Sequence, residues 1–313
     1  MSTLSTHFFT KINQISPLEE NFTEVLEAIA LKPKTLYFCG KIPKNVLEKT
    51  TSSSNHPSRP KTVAIVGSRH NTRYGEEIAY RLAYELAKND VVIVSGLAYG
   101  IDTIAHKGCL DAGGITVAVL GTAIDDIYPK AHLGVAKRII KQGGAIISEY
   151  PPGSVPFPKT SFLERNRLIS GLADIVVVVE AAERSGSLNT ATHALDQGKE
   201  VFAVPGNITN PYSQGCNKLI RQGAFPYTEP DDVLRLLFPH KYLRHQRKLK
   251  KDNLIGDTDA ETLIIQAIAS GARSGEQIMT ITHLPTEVFN QTTTLLEIKG
   301  RLQSLGMNHW SLT

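Results

Sequence analysis

The sequence predicts an α/β protein: an extended Rossmann-like, doubly wound and mostly parallel sheet, followed by a small C-terminal winged-helix domain. From Lys61 onward, apolar β-branched runs alternate with amphipathic segments, which is the pattern of strands joined by crossover helices. The run from Asp174 to Val179 has no polar face, as is typical of a central strand that is covered on both sides. Beyond Asp259, three amphipathic segments and a glycine-turned hairpin indicate the second domain.

Residues 1–60 are predicted to form an N-terminal extension and a linker. They contain an amphipathic stretch from Pro17 to Leu31, a short strand candidate from Leu36 to Cys39, and a polar tract from Thr50 to Pro60. The polar tract is rich in turn formers and has almost no apolar side chains to bury. We therefore interpret this tract as the linker.

The Rossmann-like domain is predicted to cover residues 61–238. Its strand candidates are residues 62–66, 91–95, 116–120, 145–148, 175–179 and 200–204. The helix candidates between them are residues 74–89, 101–112, 130–142, 188–195 and 216–222. In such sheets ligands lie at the carboxyl ends of the strands, so the loops that follow the strands are the predicted functional region.

A basic linker, residues 239–258, is predicted to lead to the winged-helix domain, residues 259–313. Six Lys or Arg side chains lie from Lys241 to Lys251. We interpret this segment as a solvated linker in preference to a site of non-specific phosphate contacts. In the domain itself, the second and third helices would form a helix-turn-helix, but Glu287 and Glu297 outnumber Lys299 there. The sequence therefore leaves DNA contact and protein contact equally open for this domain.

The composition limits the class of protein. The 313-residue chain is 41% hydrophobic with a formal net charge of +4, and no window resembles a membrane helix or a secretion signal. Its three cysteines are far apart, which indicates neither a zinc knuckle nor a disulfide framework. We therefore expect a soluble cytoplasmic protein with no membrane partner.

Sequence motifs for common catalytic sites are absent. The chain has no G-x-x-x-x-G-K-[ST] motif, no G-x-G-x-x-G after the first strand and no G-x-S-x-G. His106 and His193 lie in helical patterns without a paired metal-ligand spacing, and Asp102 fits a helix cap better than a catalytic acid. We predict no catalytic residue, no metal and no cofactor.

Five glycine-containing loops, four at predicted strand ends and one just beyond, together predict a ligand that carries phosphate. They are Gly67-Ser68-Arg69, residues 95–102 with Gly96, Gly121-Thr122, the turn 185–187, which opens a helix, and Pro205-Gly206-Asn207. Small residues let a ligand approach the backbone, and successive N–H groups at a turn or a helix N-terminus hold anions.

The segment before the central strand contains residue types that bind nucleic acids, because guanidinium groups pair with phosphates and aromatic rings stack on bases. We expect one edge of the domain to bring together five phosphate contacts, namely Arg69, Lys159, Arg165, Arg167 and Lys218. Asn166 adds an amide, and Phe162 is expected to stack on a base. The alternative is that Phe162 anchors the loop as a core residue and that Arg167 pairs with Asp174 or Glu180.

Several motifs, read in order, resemble those of the bacterial DNA-processing protein A family, DprA/Smf. They are Gly67-Ser68-Arg69, SGLAYGIDTIAH (95–106), RNRLISGLAD (165–174), EAAERSGSLNTA (180–191), VFAVPGN (201–207) and GCNKLIRQGA (215–224). The resemblance implies a non-enzymatic protein that binds single-stranded DNA and loads the RecA recombinase onto incoming DNA during natural transformation. It also implies a homodimer, which the apolar faces near residues 233–238 favour, and it adds Asn217 beside Lys218 to the expected DNA-binding residues.

A second hypothesis belongs to another class of function. A related Rossmann-like group of enzymes and sensors binds nucleotides and acts on phosphoribosyl bonds, with a glycine-rich turn and a glutamate at the ribose phosphate. Glu180 and the turn 185–187 suit that arrangement. Asn189 and Thr190, however, stand where that group is expected to have a second acidic or arginine partner, and the binding protein is therefore favoured.

Overall fold

The computed structural model describes residues 11–44, 59–239 and 255–312, with the side chains of Pro158 and Lys159 left out. The chain divides into two compact units, one ending at Leu237 and the other beginning at Phe238. Most of the polar tract predicted at 50–60 lies outside the described residues. The same holds for the six Lys and Arg side chains of the predicted basic linker.

In the described residues, the first unit contains one nine-stranded sheet in the order β1-β2-β6-β5-β4-β3-β7-β8-β9. The strands are β1 Asn13–Ile15, β2 Leu36–Gly40, β3 Thr62–Val66, β4 Val92–Ser95, β5 Thr116–Val119, β6 Ala145–Ser148, β7 Ile175–Val178, β8 Glu200–Ala203 and β9 Phe225–Pro226. From β6 to β9 across the sheet all neighbours are parallel, whereas β1 and β2 are antiparallel to their neighbours. The predicted mostly parallel α/β sheet is confirmed.

The N-terminal segment is part of this sheet and not a separate extension. β2 pairs with β6, β1 pairs with β2, and Phe22 and Leu26 are buried in the core of the first unit. The amphipathic stretch 17–31 forms two 3-10 turns around a single short α-helical turn, and no continuous helix. The predicted domain boundary at residue 60 therefore lies inside one compact unit and does not separate two.

Eight α-helices are described in the first unit. They are α1 Asn21–Glu24, α2 Arg73–Lys88, α3 Ile101–Asp111, α4 Leu133–Lys141, α5 Pro158–Leu172, α6 Gly186–Asp196, α7 Gln214–Arg221 and α8 Pro230–Leu237. Helix α5 was not expected from the sequence. Pro158 suits a first helical position, but the buried polar side chains of Ser161, Arg165 and Asn166 interrupt the apolar stripe that reveals a helix.

The strand order reverses between β3 and β7, which lie side by side at the centre of the sheet. From β3 the chain continues outward through β4, β5 and β6, and from β7 it continues through β8 and β9 in the other direction. Ile65 and Val177, on these central strands, are completely buried. Open α/β sheets bind ligands in the crevice outside the carboxyl ends of the strands at such a reversal.

Helix α8 packs its apolar face within a single chain. Val233, Leu234 and Leu237 are buried, and Leu236 is the exposed leucine of the helix. The first unit therefore covers most of this face, and Leu236 and the half-buried Phe238 are the apolar side chains of residues 233–238 that stay accessible to solvent.

The second unit has the element order of a winged helix. It contains α9 Asp259–Ala269, α10 Gly275–Thr282, α11 Thr286–Ile298 and an antiparallel hairpin of β10 Leu302–Gly306 and β11 His309–Leu312. Ile264, Ile268, Phe289 and Leu296 form its core, and the Trp310 ring packs edge-on against Phe289. No helix within the described ranges is long and apolar enough to cross a membrane.

Candidate nucleic-acid interface

A cleft of about 380 Å³ opens at the carboxyl ends of β3 and β7, where the strand order reverses. The loop after β3, the first half of α5 and the first turn of α6 form most of its wall. The lining residues are Val66, Gly67, Ser68, Arg69, His70, Ala98, Asp102, Phe162, Leu163, Arg165, Asn166, Ile169, Ala182, Ser185, Gly186, Ser187, Thr190 and Tyr212. Six of the predicted site residues therefore line one cleft.

The loop after β3 is held in place by hydrogen bonds of Ser68. Its backbone N–H donates to the Glu180 carbonyl at 2.7 Å, and its hydroxyl accepts the N–H of His70 at 3.1 Å. A Cβ on Gly67 would overlap the Ile101 side chain, so the backbone approaches α3 too closely for any larger residue. The loop thus brings Arg69 to the cleft on a fixed turn.

Arg69 and Phe162 form a cation–π pair in the cleft. The Arg69 guanidinium carbon lies 5.6 Å from the centre of the Phe162 ring, and Arg69 is exposed to solvent. Phe162 is half-buried, and its ring lies against the backbone of Gly121, where a Cβ would overlap it. Phe162 is therefore neither a free loop residue nor a core residue, since one side packs on the protein and the other contributes to the cleft.

Arg165 is buried beneath the cleft. Only 5% of it is exposed, and one guanidinium nitrogen donates hydrogen bonds to the carbonyls of Gly96, at 2.8 Å, and Val119. The Asp102 carboxylate, which accepts the Gly96 N–H at 3.0 Å, attracts the guanidinium. Burial lowers the pKa of Arg165 to about 10, and the attraction of Asp102 opposes this shift.

Asp102 and Gly96 complete this buried group. Burial raises the pKa of Asp102, and the Arg165 charge and hydrogen bonds from the 95–98 loop oppose that rise. Asp102 therefore holds the loop after β4 and does not serve as the N-cap of α3, which is Gly100. Gly96 is buried, and a Cβ there would overlap the guanidinium of Arg165. Its role in the structure is to make room for Arg165.

Asn166 joins α5 to the first turn of α6. Its amide nitrogen lies 3.2 Å from both the Gly186 carbonyl and the Asn189 side-chain oxygen, and donates to each. The N-cap of α6 is Ser185, whose hydroxyl accepts the N–H of Ser187. The N-terminus of this 11-residue helix therefore faces the cleft with the positive end of its dipole, which favours an anion.

Among the predicted site residues that the structure describes completely, four do not line the cleft: Gly96, Arg167, Asn217 and Lys218. Arg167 donates from one nitrogen to both oxygens of Glu149 at 2.7 Å, so it is a structural partner, although not of Asp174 or Glu180 as the alternative expected. Asn217 exchanges two hydrogen bonds with the backbone of Gly206, and Lys218 is exposed on α7. Lys159 lies in the first turn of α5, at the cleft-forming end of that helix.

Glu180, which the second hypothesis places at a ribose phosphate, is also committed to the fold. It is 1% exposed, and its two oxygens accept hydrogen bonds from the backbone N–H and the hydroxyl of Thr72. Asp102 is the one acidic side chain among the residues that line the described cleft. The glutamate of the second hypothesis is therefore not in the cleft.

Sequence reasoning missed several cleft residues, among them Leu163, Thr190 and Tyr212. Ile169 is recognisable only once 158–172 is known to be a helix, because a spacing of three, four and seven residues from Asn166, Arg165 and Phe162 then places it on their side of α5. Tyr212 comes from the turn before α7, and no local motif indicates that this turn returns to the cleft.

The geometry defines a class: a doubly wound α/β protein with an open cleft at the strand reversal, lined by an exposed arginine, an aromatic ring and a helix N-terminus. The family model described as DNA recombination-mediator protein A matches residues 13–238. The chain belongs to this family, which confirms the DprA/Smf resemblance.

Relatives and solved structures agree with this assignment. Protein Smf of Escherichia coli is 50% identical over 175 residues, which is 56% of this chain and 46% of that protein. Protein Smf of Synechocystis is 35% identical over 269 residues, covering 85% of this chain and 64% of that protein. The matched region thus spans about half to two thirds of these relatives' length.

Two solved structures share the fold at a TM-score of 0.61. DNA processing protein A from Streptococcus pneumoniae is 39% identical, with 72% of this chain and 74% of that chain covered. The Helicobacter pylori protein is 32% identical, with 73% and 96% covered, and its structure describes a unique single-stranded DNA binding mode of that protein.

Proposed function

We propose that this chain binds single-stranded DNA in the cleft at the strand reversal. The observation that carries the proposal is the exposed Arg69 over the Phe162 ring, next to the N-terminus of α6. A guanidinium and a helix N-terminus suit a phosphate, and a half-exposed ring suits a base. A nucleotide carries both a phosphate and a base, so the proximity of these protein groups favours a nucleic acid over a free anion.

The roles of the predicted residues follow from their positions. Arg69 contacts a phosphate, the small residues Gly67 and Ser68 let the strand approach the backbone, and Phe162 stacks on a base. Arg165, Gly96 and Asn166 support the walls that position these groups, with Lys159 and Lys218 as further phosphate contacts along the strand. We assign Arg167 and Asn217 supporting roles, because one guanidinium nitrogen of Arg167 is held by Glu149 and both polar atoms of the Asn217 side chain are paired with the backbone of Gly206.

The wider role that we propose rests on membership of the recombination-mediator family. The chain acts in the cytoplasm as a homodimer, protects incoming DNA and loads the RecA recombinase onto it during natural transformation. We also propose that it does so without catalysis. A phosphoribosyl enzyme is disfavoured because its expected glutamate, Glu180, is buried against Thr72.

Titration with fluorescent single-stranded and duplex oligonucleotides at several salt concentrations tests the proposal. We expect tighter binding of the single strand. Arg69→Ala should weaken binding to every sequence and reduce the salt slope by roughly 0.7, the single-strand value for one phosphate contact. The matched control is Arg138→Ala, which removes the same charge from an arginine that pairs with Asp111 outside the cleft lining. Equal effects of the two substitutions would move the binding site away from the cleft.

A further inference from the structure

Tyr128 lies beside the cleft without lining it. Its ring centre is 5.6 Å from that of Phe162, the two rings are tilted by 46°, and half of Tyr128 is exposed. The preceding residues Ile124 and Ile127 are buried and anchor the loop that presents it. An aromatic side chain is therefore held at the surface next to the ring that is proposed to stack on a base.

The Phe162 ring has two neighbours at the same distance. The Arg69 guanidinium carbon and the centre of the Tyr128 ring each lie 5.6 Å from the centre of the Phe162 ring. Because the two rings are tilted, one flat base is unable to stack on both of them. A strand that places one base on Phe162 would need a second base to use the exposed area of Tyr128.

The charges of the same loop indicate which part of a nucleotide Tyr128 would meet. Lys130, two residues further on, is paired with Asp126 at 2.5 Å, and Asp125 accepts the N–H of Gly153. The Tyr128 surface therefore suits a base more than a phosphate.

We infer that Tyr128 is a second stacking subsite, for the base next to the one that occupies Phe162. The inference rests on the proposed function and extends it. The ligand is a single strand of at least two nucleotides, and its two neighbouring bases stack on the protein rings and not on each other. Tyr128 contributes affinity through its ring and not through charge.

The test uses the full chain and a series of oligothymidylates of increasing length. Tyr128→Leu keeps apolar volume against Phe162 but removes the flat ring, and Tyr128→Phe restores the ring without the hydroxyl. The control is Tyr80→Leu, which changes a tyrosine of comparable exposure on α2 that is not part of the cleft lining. A strand with 2-aminopurine at successive positions reports stacking through quenching of its fluorescence.

We expect Tyr128→Leu to leave the shortest bound oligonucleotide unaffected and to weaken longer ones about 5- to 150-fold, which is the range for one stacked base. The salt slope should not change, quenching should be lost at a single position, and Tyr128→Phe should restore both affinity and quenching. Equal loss at every length would overturn the inference, because it would mean that Tyr128 only supports Phe162. No loss at any length would overturn it as well. If wild-type protein fails to bind, or Arg69→Ala has no effect, the proposed function itself is wrong.

Discussion

Replacing Arg165 with methionine tests whether this arginine contacts DNA or supports the cleft. The substitution keeps the length of the side chain but removes two hydrogen bonds to the carbonyls of Gly96 and Val119. It also leaves the buried carboxylate of Asp102 without its opposite charge. Breaking a buried charge pair by removing one partner costs about 3–5 kcal/mol. For a unit of this size, that loss corresponds to a decrease in melting temperature of about 6–20 °C.

Urea unfolding of wild type, Arg165→Met, Asp102→Asn and the double variant measures this cost. Because the two groups interact, the double variant should be more stable than the sum of the single losses predicts, by about 0.5–3 kcal/mol. Where Arg165→Met remains folded, its DNA affinity should fall without the decrease in salt slope that Arg69→Ala shows. An unchanged urea midpoint together with a reduced salt slope would refute the reasoning and make Arg165 a direct phosphate contact.

Two further predictions concern stability and the second unit. Thr116 donates its hydroxyl proton to the Ile93 carbonyl, so His106 donates from Nδ1 to Thr116 and leaves Nε2 buried without a proton or a partner among the described residues. Burial lowers the pKa of His106 to about 3 in the folded state against 6.5 as its ordinary value, so the unfolded chain binds the proton more tightly. The free energy of unfolding should therefore decrease as the pH falls below 6.5, by about 2 kcal/mol by pH 5. The His106→Asn variant keeps a hydrogen-bond donor but does not titrate, so its urea unfolding should depend less on pH. Removing residues 259–313 should leave most single-strand affinity intact, since α9 to α11 contain no Lys or Arg. Loss of nearly all binding by a folded first unit would contradict this.

The central strands were predictable because a short apolar run rich in β-branched residues is typical of a buried strand. Residues 175–178 form β7 as the pattern indicated, whereas the pairing of β7 with β3, where the strand order reverses, was not part of the prediction. Helix α5 was not predictable in the same way. Its inward-facing side includes Ser161, Arg165 and Asn166, so its burial depends on hydrogen bonds from distant loops and not on a hydrophobic stripe.

The roles of the arginines in the site depend on hydrogen bonds to residues that are distant in the chain, and the sequence does not reveal these partners. The side chains of Arg69, Arg165 and Arg167 are chemically identical, and a sequence motif gives them the same weight. Their roles separate only through partners that are far away in the chain: Gly96 and Val119 for Arg165, and Glu149 for Arg167. No local pattern predicts which guanidinium finds a carbonyl or a carboxylate.

This division of roles has a consequence for how the cleft discriminates among ligands. A cleft with several unpaired arginines would bind any polyanion, because charge attraction alone would suffice. Here Arg165 and Arg167 are buried or half-buried and bonded to the protein, and Arg69, which lies over an aromatic ring, is the exposed Lys or Arg among the described side chains that line the cleft. Tight binding then requires a base as well as a phosphate. Since the bases of a duplex are already stacked and paired, only a single strand offers both groups to the cleft without an unstacking cost of a few kcal/mol.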